Sequence, residues 1–284
     1  ASGECLLQVS KELAPLHFKG YSVEQDLSDI ISGIRDVLHQ LGEQQHWCCL
    51  SISCQRGTLI RLDSHHQPTS PLISWMDRHD SRRRETGITR SLMSWLSEQF
   101  IGCAYDTRQT GEPEQLSSDV TIVSPGAMFP AKPSKDWQGV IRAGLPIILA
   151  GGDKNCEWLG AGGLNQVSAV LSCGTALSLG VYSKDQIPSH VSGVFATPAH
   201  HADGFQVEVG LPCDGLLSHW INQNLGISPL PNDIPLPQAE SSLCFLPFLG
   251  GSLFYPKAFG TITGLAHDTK PLDIAASAVE GMIC

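Results

Sequence analysis

The stretch from Leu145 to Gly163, LPIILAGGDKNCEWLGAGG, constrains the fold more than any other part of this 284-residue chain. An unbroken apolar run at 145–150 ends at a glycine pair, and Asp153 follows at once. Apolar runs of this length bounded by glycine predict a buried strand. Residues 155–159 can then start a helix, which the glycines beyond them would end. The sequence therefore predicts a carboxylate where a buried strand gives way to a helix, which is where open α/β sheets place their functional groups.

Asp153 has two interpretations when the residues are considered alone. Its carboxylate could act on a substrate, or it could simply cap the helix by accepting a backbone N–H. The local pattern fits both interpretations equally well, so a decision between them depends on the rest of the chain.

Several segments resemble those of the FGGY carbohydrate kinases. The GGD at 151–153 is similar to the segment that carries the catalytic aspartate in that family. Residues 260–265, GTITGL, followed by 273–281, DIAASAVEG, resemble the family's second signature, and FLPF at 245–248 resembles its FLPY element. Because these elements occur in the family's order, the chain resembles an FGGY-type sugar kinase.

This resemblance implies an α/β fold of the ribonuclease-H-like, actin-type ATPase architecture, with two domains around a cleft. The N-terminal domain would span residues 1–163 and hold the sugar pocket and Asp153. The C-terminal domain would span residues 164–284 and hold a nucleotide-phosphate loop. The implied reaction is transfer of the γ-phosphoryl group of ATP to a hydroxyl of a sugar or polyol. Asp153 would be the catalytic base that takes the hydroxyl proton, and Mg²⁺ would bridge the phosphates.

The predicted phosphate loop lies in a second pattern, after Gly163. A strand at 167–171, a tight turn at 172–175 and a returning strand at 176–182 can be inferred from the residues alone, and a plain hairpin would explain them. The turn SCGT resembles the family's second phosphate loop. By this resemblance Gly174 and Thr175 would bind the nucleotide phosphates, and Ala176 replaces the family's third hydroxyl.

Four further residues are predicted to contact the sugar together with Asp153. Gln55 and Arg56 occupy a loop whose family equivalent reaches the substrate, and an amide and a guanidinium offer fixed donors to hydroxyl groups. Trp75 and Asp77 belong to a segment that resembles the family's W-x-D-x-R element, except that Arg78 comes one place early. Gln55 could instead satisfy a turn, and Asp77 could form a local ion pair with Arg78.

The chain also departs from the family pattern. Between residues 91 and 139 the matching pieces are separated by shorter intervals, and neither the DxGTT hairpin nor the glycine-rich adenine-binding segment is present. The chain is therefore either a shortened relative or one that omits segments of the complete polypeptide, and we expect omission. The alternative function is that of a non-catalytic relative that binds a sugar or a partner protein. The choice among xylulose, ribulose, glycerol and related substrates stays open, because these kinases differ mainly in pocket loops.

Composition and charge limit the other function classes. The formal net charge of −10 argues against a non-specific nucleic-acid binder, which needs clustered Lys and Arg. No apolar run approaches the length of a membrane span and no signal pattern opens the chain, so a cytoplasmic protein without membrane contact is expected. The resemblance also implies a homodimer, because members of that family often dimerise.

Cysteine and histidine could suggest metal or disulfide chemistry. The ten cysteines include no CxxC pair, and we expect free, buried thiols in a reducing compartment. Adjacent histidines on an extended chain point to opposite faces, so neither His65-His66 nor His200-His201 predicts a metal site.

The remaining pattern predicts the secondary structure around these motifs. Strands are expected at 4–9, 47–52, 59–62 and 207–210, and helices at 27–41, 215–221 and 273–282. The proline-rich residues 228–238 are expected to form a loop, and Arg82-Arg83-Arg84 a solvated helix face.

Overall fold

A computed structural model describes residues 4–20, 22–77, 87–110, 115–163, 169–173, 177–185, 194–199, 204–211, 214–227, 242–249 and 258–283. Five α-helices lie in this part of the chain: α1 Leu27–Gln40, α2 Leu92–Ile101, α3 Asp153–Gly160, α4 Asp214–Leu225 and α5 Pro271–Ile283. Short 3₁₀ turns occur at Gln44–His46 and Lys135–Trp137.

The strands accompany these helices in mixed order. Before α3 they are β1 His17–Lys19, β2 Ser22–Gln25, β3 Leu50–Cys54, β4 Leu59–Leu62, β5 Leu72–Ile73, β6 Ile88–Ser91, β7 Tyr105–Thr107, β8 Thr121–Val123, β9 Ala127–Pro130 and β10 Pro146–Gly152. After α3 they are β11 Ala169–Cys173, β12 Leu177–Ser183, β13 Phe195–Pro198, β14 Phe205–Leu211, β15 Cys244–Leu246 and β16 Thr261–Thr263.

The chain divides into two compact units. One comprises Ala1–Glu157 with Pro198–Ala202, and the other comprises Trp158–Thr197 with Asp203–Cys284. Each has its own sheets and its own apolar cluster.

The first unit contains three sheets. Five strands pair in the order β1-β2-β5-β4-β6, three pair in the order β3-β10-β9, and β7 pairs with β8. In the three-stranded sheet β10 runs parallel to β3 and antiparallel to β9. Ile147 and Leu149 of β10 are fully buried, as the apolar run predicts. Three of the functional candidates, Gln55, Arg56 and Asp153, follow the carboxyl ends of β3 and β10 in this sheet.

Helices α1 and α2 begin and end where their sequences provide caps. Asp26 accepts a hydrogen bond from the Ser28 amide at 2.8 Å and so starts α1, whose apolar residues face the core. Ser91 accepts from the Ser94 amide at 3.0 Å and starts α2, which ends at Gly102 in a left-handed conformation. Together the two helices complete the core of the first unit.

The second unit is built on a four-stranded sheet in the order β11-β12-β14-β13 and on the pair β15-β16. Its apolar cluster is formed by residues of α4, α5 and β15, namely Leu217, Ile221, Phe245, Ala275 and Ala278. Strands β11 and β12 form the predicted hairpin, with Cys173 opposite Leu177.

Most of the predicted elements are confirmed. The predicted helices match α1, α4 and α5 closely, the strand at 59–62 is β4, and the strand at 207–210 lies within β14. Two predicted elements, the loop at 228–238 and the basic run at 82–84, lie outside the described residues.

Three sequence-based expectations are wrong. Residues 4–9 form no strand, and Leu6 and Leu7 are exposed, since an edge strand needs a neighbouring strand to pair with. The strand expected at 47–52 starts later, at Leu50, and its alternate residues are exposed rather than buried. The described cysteines are free, but most of them are exposed: Cys5, Cys48, Cys49, Cys103 and Cys244. None of the described helices combines the length and the apolar character needed to span a membrane.

Candidate active site

The junction between β10 and α3 has the form that the sequence predicts. Strand β10 ends at Gly152, and Asp153 is the first residue of α3. Gly151 adopts a φ of +121°, a conformation that favours glycine. The register of β10 shifts between Leu149 and Gly151, which indicates a bulge immediately before the carboxylate.

Parallel pairing brings two of the predicted sugar contacts to the same edge as Asp153. Gly152 of β10 lies opposite Cys54 of β3, so Asp153 and Gln55 each directly follow one member of a paired set. Burial raises the pKa of Asp153, and the positive charge of Arg56 in the neighbouring loop opposes that rise. The structure therefore places Gln55, Arg56 and Asp153 at the carboxyl ends of adjacent strands.

Burial dominates the electrostatics of Asp153. It raises the pKa of this carboxyl group, since desolvation disfavours the charged form, and Glu157 adds to the shift. A hydrogen bond from the Lys154 backbone and the positive charges of Lys154 and Arg56 oppose the shift. Lys154 also forms an ion pair with Glu157 at 2.9 Å. A carboxylate with a raised pKa and positive neighbours is suited to receiving a proton.

A backbone hydrogen bond to Thr110 anchors the loop that carries Gln55 and Arg56. The Gly57 amide donates to the Thr110 carbonyl oxygen at 3.0 Å, and Gly57 adopts a φ of +75°. Gln55 is exposed, and its side-chain oxygen accepts a long hydrogen bond of 3.4 Å from Thr58. The backbone of this loop is thus fixed while the Gln55 side chain faces outwards.

Trp75 and Asp77 belong to a different sheet from Asp153. They follow β5 of the five-stranded sheet, whereas Asp153 follows the three-stranded sheet. Asp77 is buried, and its carboxylate accepts a hydrogen bond from the Val23 amide at 2.9 Å. This bond anchors β2, and a role for either residue at the sugar stays a prediction. Arg78 lies outside the described residues.

The predicted phosphate loop is bracketed by confirmed strands. β11 and β12 pair antiparallel up to Cys173 and Leu177, and the three residues between them, Gly174, Thr175 and Ala176, lie outside the described residues. Their contact with a nucleotide stays a prediction.

Sequence reasoning missed a buried polar turn at residues 106–110. Asp106 is fully buried and accepts hydrogen bonds from the hydroxyls of Ser91 and Thr110 and, at 2.6 Å, from the Thr107 amide. Burial raises the pKa of Asp106, against the opposing effect of these donors. The segment YDTRQT has no hydrophobic period, so only the pairing of hydroxyl-bearing residues with a lone aspartate could have indicated it.

The chain resembles known proteins in sequence and in fold. No family model matches it. The sequence is 30% identical, over an alignment of 256 residues, to a xylulose kinase of Escherichia coli (strain K12). That alignment covers 75% of this chain and 50% of the relative.

The solved structures that resemble the chain are also carbohydrate kinases. A gluconate kinase from Lactobacillus acidophilus superposes with a TM-score of 0.76 at 17% identity, covering 99% of this chain and 72% of that one. A ligand-bound xylulose kinase from Lactobacillus acidophilus gives a TM-score of 0.74 at 16% identity, covering 96% and 70%. A glycerol kinase from Plasmodium falciparum with ADP gives 0.67 at 14% identity, covering 95% and 70%.

The sequence match and the fold likeness support the FGGY carbohydrate kinase family, which the motifs predict. The fold of the chain is the ribonuclease-H-like, actin-type ATPase architecture that the sequence motifs predict. The chain spans half the length of the curated relative that it matches. The shorter length agrees with the expectation that it lacks segments its relatives have.

One groove in the described part of the chain lies away from the predicted site. A groove of about 950 Å³ lies between the C-terminal end of α1 and residues 138–143. Arg35, Gln44 and Arg142 contribute to its walls, whereas Asp153 and the loop at 55–57 do not.

Metal-binding clusters are not found among the residues that the structure describes. No group of three or more His, Cys, Asp or Glu side chains is placed there to hold an ion. His66 instead contacts Glu98, with its Nδ1 atom 2.8 Å from Oε1. The second histidine pair, His200-His201, lies outside the described residues.

Proposed function

We propose that this protein is an ATP-dependent carbohydrate kinase that phosphorylates a hydroxyl group of a sugar or polyol. The single observation that carries the proposal is the position of Asp153 at the carboxyl end of β10, beside the loop that follows the paired strand β3. The relatives named above as kinases of xylulose, gluconate and glycerol support the same reaction class.

Asp153 is the proposed catalytic base. Its burial raises the pKa of the carboxyl group, and the nearby Arg56 and Lys154 keep the charged form accessible. In phosphoryl transfer the protein contributes chiefly positioning and electrostatic stabilisation, and the base accepts the proton of the attacking hydroxyl. Asp153 would have to lie within hydrogen-bond reach of that hydroxyl in the complex.

Gln55 and Arg56 are the proposed sugar contacts on the same edge. An exposed carboxamide and a half-buried guanidinium can donate to several hydroxyls of one polyol. Trp75 and Asp77 are proposed to contribute to the sugar pocket as well. Xylulose is the first sugar to test, since the curated relative is a xylulose kinase.

Gly174 and Thr175 are proposed to hold the terminal phosphates of ATP. A glycine lets backbone N–H groups approach phosphate, and a threonine hydroxyl adds a donor. One of the solved relatives is a glycerol kinase with ADP, which supports a nucleotide substrate. Mg²⁺ would arrive with the nucleotide and offset charge between its phosphates.

We further propose the organisation that accompanies this activity. The sugar-binding domain would comprise residues 1–163 and the nucleotide-binding domain residues 164–284. The protein would act in the cytoplasm on small molecules, as a homodimer, without nucleic-acid or membrane partners. Size-exclusion chromatography with light scattering measures the oligomeric state directly.

An assay of ADP release tests the proposed reaction. The chain is incubated with MgATP and a panel of xylulose, ribulose, gluconate, glycerol and related polyols, and the sugar phosphate is identified by mass spectrometry. Turnover of one member of the panel above the ATPase background supports the proposal. Absence of turnover across the panel, in the presence of folded protein, contradicts it.

The second candidate is a non-catalytic relative that binds a sugar or a partner protein. One observation favours it, namely Ala176, which stands where the family's second phosphate loop has a third hydroxyl. A thermal-shift screen with the same panel separates the two candidates. Stabilisation by a sugar without any ADP release would favour the binding role.

A further inference from the structure

Two segments of the proposed site, the loop at 55–57 and the end of β10, contact the same short turn at residues 106–110. The Gly57 amide donates to the Thr110 carbonyl oxygen at 3.0 Å, which ties the Gln55–Arg56 loop to residues 106–110. On the other side, the Gln109 carbonyl oxygen lies 2.7 Å from the position of a Cβ on Gly152. The turn therefore contacts both segments that carry candidate functional residues.

The turn itself is rigid because its polar groups bond one another. The Thr110 amide donates to the Thr107 carbonyl at 3.2 Å, and the Gln109 amide donates to the Thr107 hydroxyl at 3.3 Å. The hydroxyls of Thr107 and Thr110 are 3.1 Å apart. Asp106 accepts from Thr110 and Ser91, and all of these side chains are buried. Such a network holds a single backbone geometry when its members are satisfied.

The Gln109 side chain extends from this turn towards β10. It is 0% exposed, and its Nε2 donates to the Pro198 carbonyl oxygen at 2.6 Å. Its Oε1 atom points at Gly151, where an added Cβ would lie only 2.0 Å away. Within the described part of the chain, Oε1 is buried and accepts no hydrogen bond.

An unsatisfied buried carboxamide oxygen needs an explanation, because a buried acceptor without a donor lowers the stability of the fold. A methionine at 109 would fill similar space without that penalty. A carboxamide at position 109 is explained if its fixed contact with the glycine pair contributes more to the site than the unsatisfied oxygen costs in stability.

We propose that Gln109 is a positioning residue that fixes the Gly151–Gly152 end of β10, and with it Asp153, relative to the loop at 55–57. This inference rests on the proposed role of Asp153 as the base. The hydrogen bond to Pro198 holds the carboxamide in place, and the close contact with Gly151 transmits that position to the residue two places further along. Gln109 itself does not touch the reacting atoms.

Gln109→Met and Gln109→Ala test the proposal. Methionine keeps the bulk but cannot donate to Pro198, and alanine also removes the contact with Gly151. The matched control is Gln99→Met, which removes a 2.8 Å hydrogen bond from Ser134 elsewhere in the same unit. Amide hydrogen exchange is followed in residues 150–157 and, as an internal reference, in α1.

We expect exchange in residues 150–157 to become ~10-fold faster in Gln109→Met and faster still in Gln109→Ala, with α1 and the Gln99→Met control unchanged. In the turnover assay kcat falls ~10- to 100-fold while KM stays within ~3-fold, because a misplaced base weakens the transition state more than sugar binding. Unchanged exchange at 150–157, or equal change in α1, would overturn the proposal.

The exchange measurement needs no substrate, so its result is separate from the proposed reaction. If the parent chain shows no turnover, the kinase proposal fails, and the exchange data alone decide whether Gln109 holds this segment. If the parent turns over and Gln109→Met lowers kcat and raises KM equally, the positioning role is contradicted while the kinase proposal stands.

Discussion

Gly152 lies so close to the backbone carbonyl oxygen of Gln109 that position 152 has no room for a side chain. A Cβ on Gly152 would lie 2.7 Å from the Gln109 carbonyl oxygen and 2.7 Å from Asn155 Oδ1. The first of these atoms belongs to the backbone of a hydrogen-bonded turn, so it cannot swing aside as a flexible side chain would. The second glycine of GGD is therefore required by packing, independently of any chemistry at Asp153.

Gly152→Ala is expected to lower the free energy of unfolding by about 1–3 kcal/mol, since an added methyl group must displace the turn or β10. Turnover should also fall, because Asp153 is the next residue. Urea denaturation followed by circular dichroism measures the first effect, and the ADP-release assay measures the second.

Gly160→Ala is the matched control for that substitution. Gly160 is the last residue of α3, and a Cβ there would meet nothing within 4 Å. Alanine has the higher helix propensity, so the free energy of unfolding should stay the same or rise by up to about 1 kcal/mol. Equal destabilisation by both substitutions would show that packing against Gln109 is not what requires a glycine at position 152.

The sequence was sufficient to predict the strand–helix junction but not the turn behind it. The apolar run before Asp153 is long and bounded by glycine, so one strong local pattern determines both β10 and the start of α3. The fold likeness then confirms the architecture that the motifs suggested, and the kinase relatives support the family.

Asp106, Gln109 and Thr110 could not be found in the same way. Their burial comes from tertiary packing against β10 and the start of α2, and polar residues such as these are exposed in most proteins. The error at residues 4–9 has a related cause. A short apolar segment can form a strand, but only a neighbouring strand with free hydrogen-bonding groups makes it one.

Asp153→Asn is expected to reduce kcat by ~10²- to 10⁴-fold while sugar binding changes little, because an amide cannot accept the hydroxyl proton. The change keeps the size of the side chain. Isothermal titration with the sugar identified in the panel gives the binding constant, and initial rates give kcat. Equal loss of binding and turnover would contradict a role as base.

The pH dependence of kcat gives an independent check on Asp153. Burial raises the pKa of this carboxyl group, so the base becomes protonated at a higher pH than an ordinary aspartate, whose pKa is about 3.9. The rate should therefore fall on the acid side with a midpoint above that value. An acid limb at or below the ordinary value would contradict the raised pKa.

The same shift makes a prediction about stability. A group whose pKa is higher in the folded state contributes fully below its unfolded pKa, and that contribution is lost as pH rises through the folded pKa. Asp153→Asn should accordingly raise the free energy of unfolding near neutral pH, relative to the parent, and have no such effect below about pH 4. Denaturation curves at the two pH values measure the difference.

Arg90 is a buried cation bound by two carboxylates, and its replacement should lower the free energy of unfolding. It is 0% exposed and donates to Asp119 through both terminal nitrogens, at 2.9 and 2.6 Å, and to Glu98 through Nε at 3.1 Å. A lysine there keeps the charge but cannot make the forked contact. Arg90→Lys should therefore lower the free energy of unfolding by about 1–3 kcal/mol, measured by urea denaturation.

Asp119→Asn tests the contact between Arg90 and Asp119 separately from the contact between Arg90 and Glu98. Arg90 lowers the pKa of Asp119, so the stability from this pair is present above the ordinary aspartate pKa and is lost as pH falls through the lower folded value. Because the Asp119 side chain is about half exposed, its replacement should cost less than about 1 kcal/mol at neutral pH. Arg90→Lys keeps its larger effect because Arg90 also binds Glu98, which in turn contacts His66. If Asp119→Asn destabilises the protein as much as Arg90→Lys does, the contact with Glu98 contributes nothing and this account of the network is wrong.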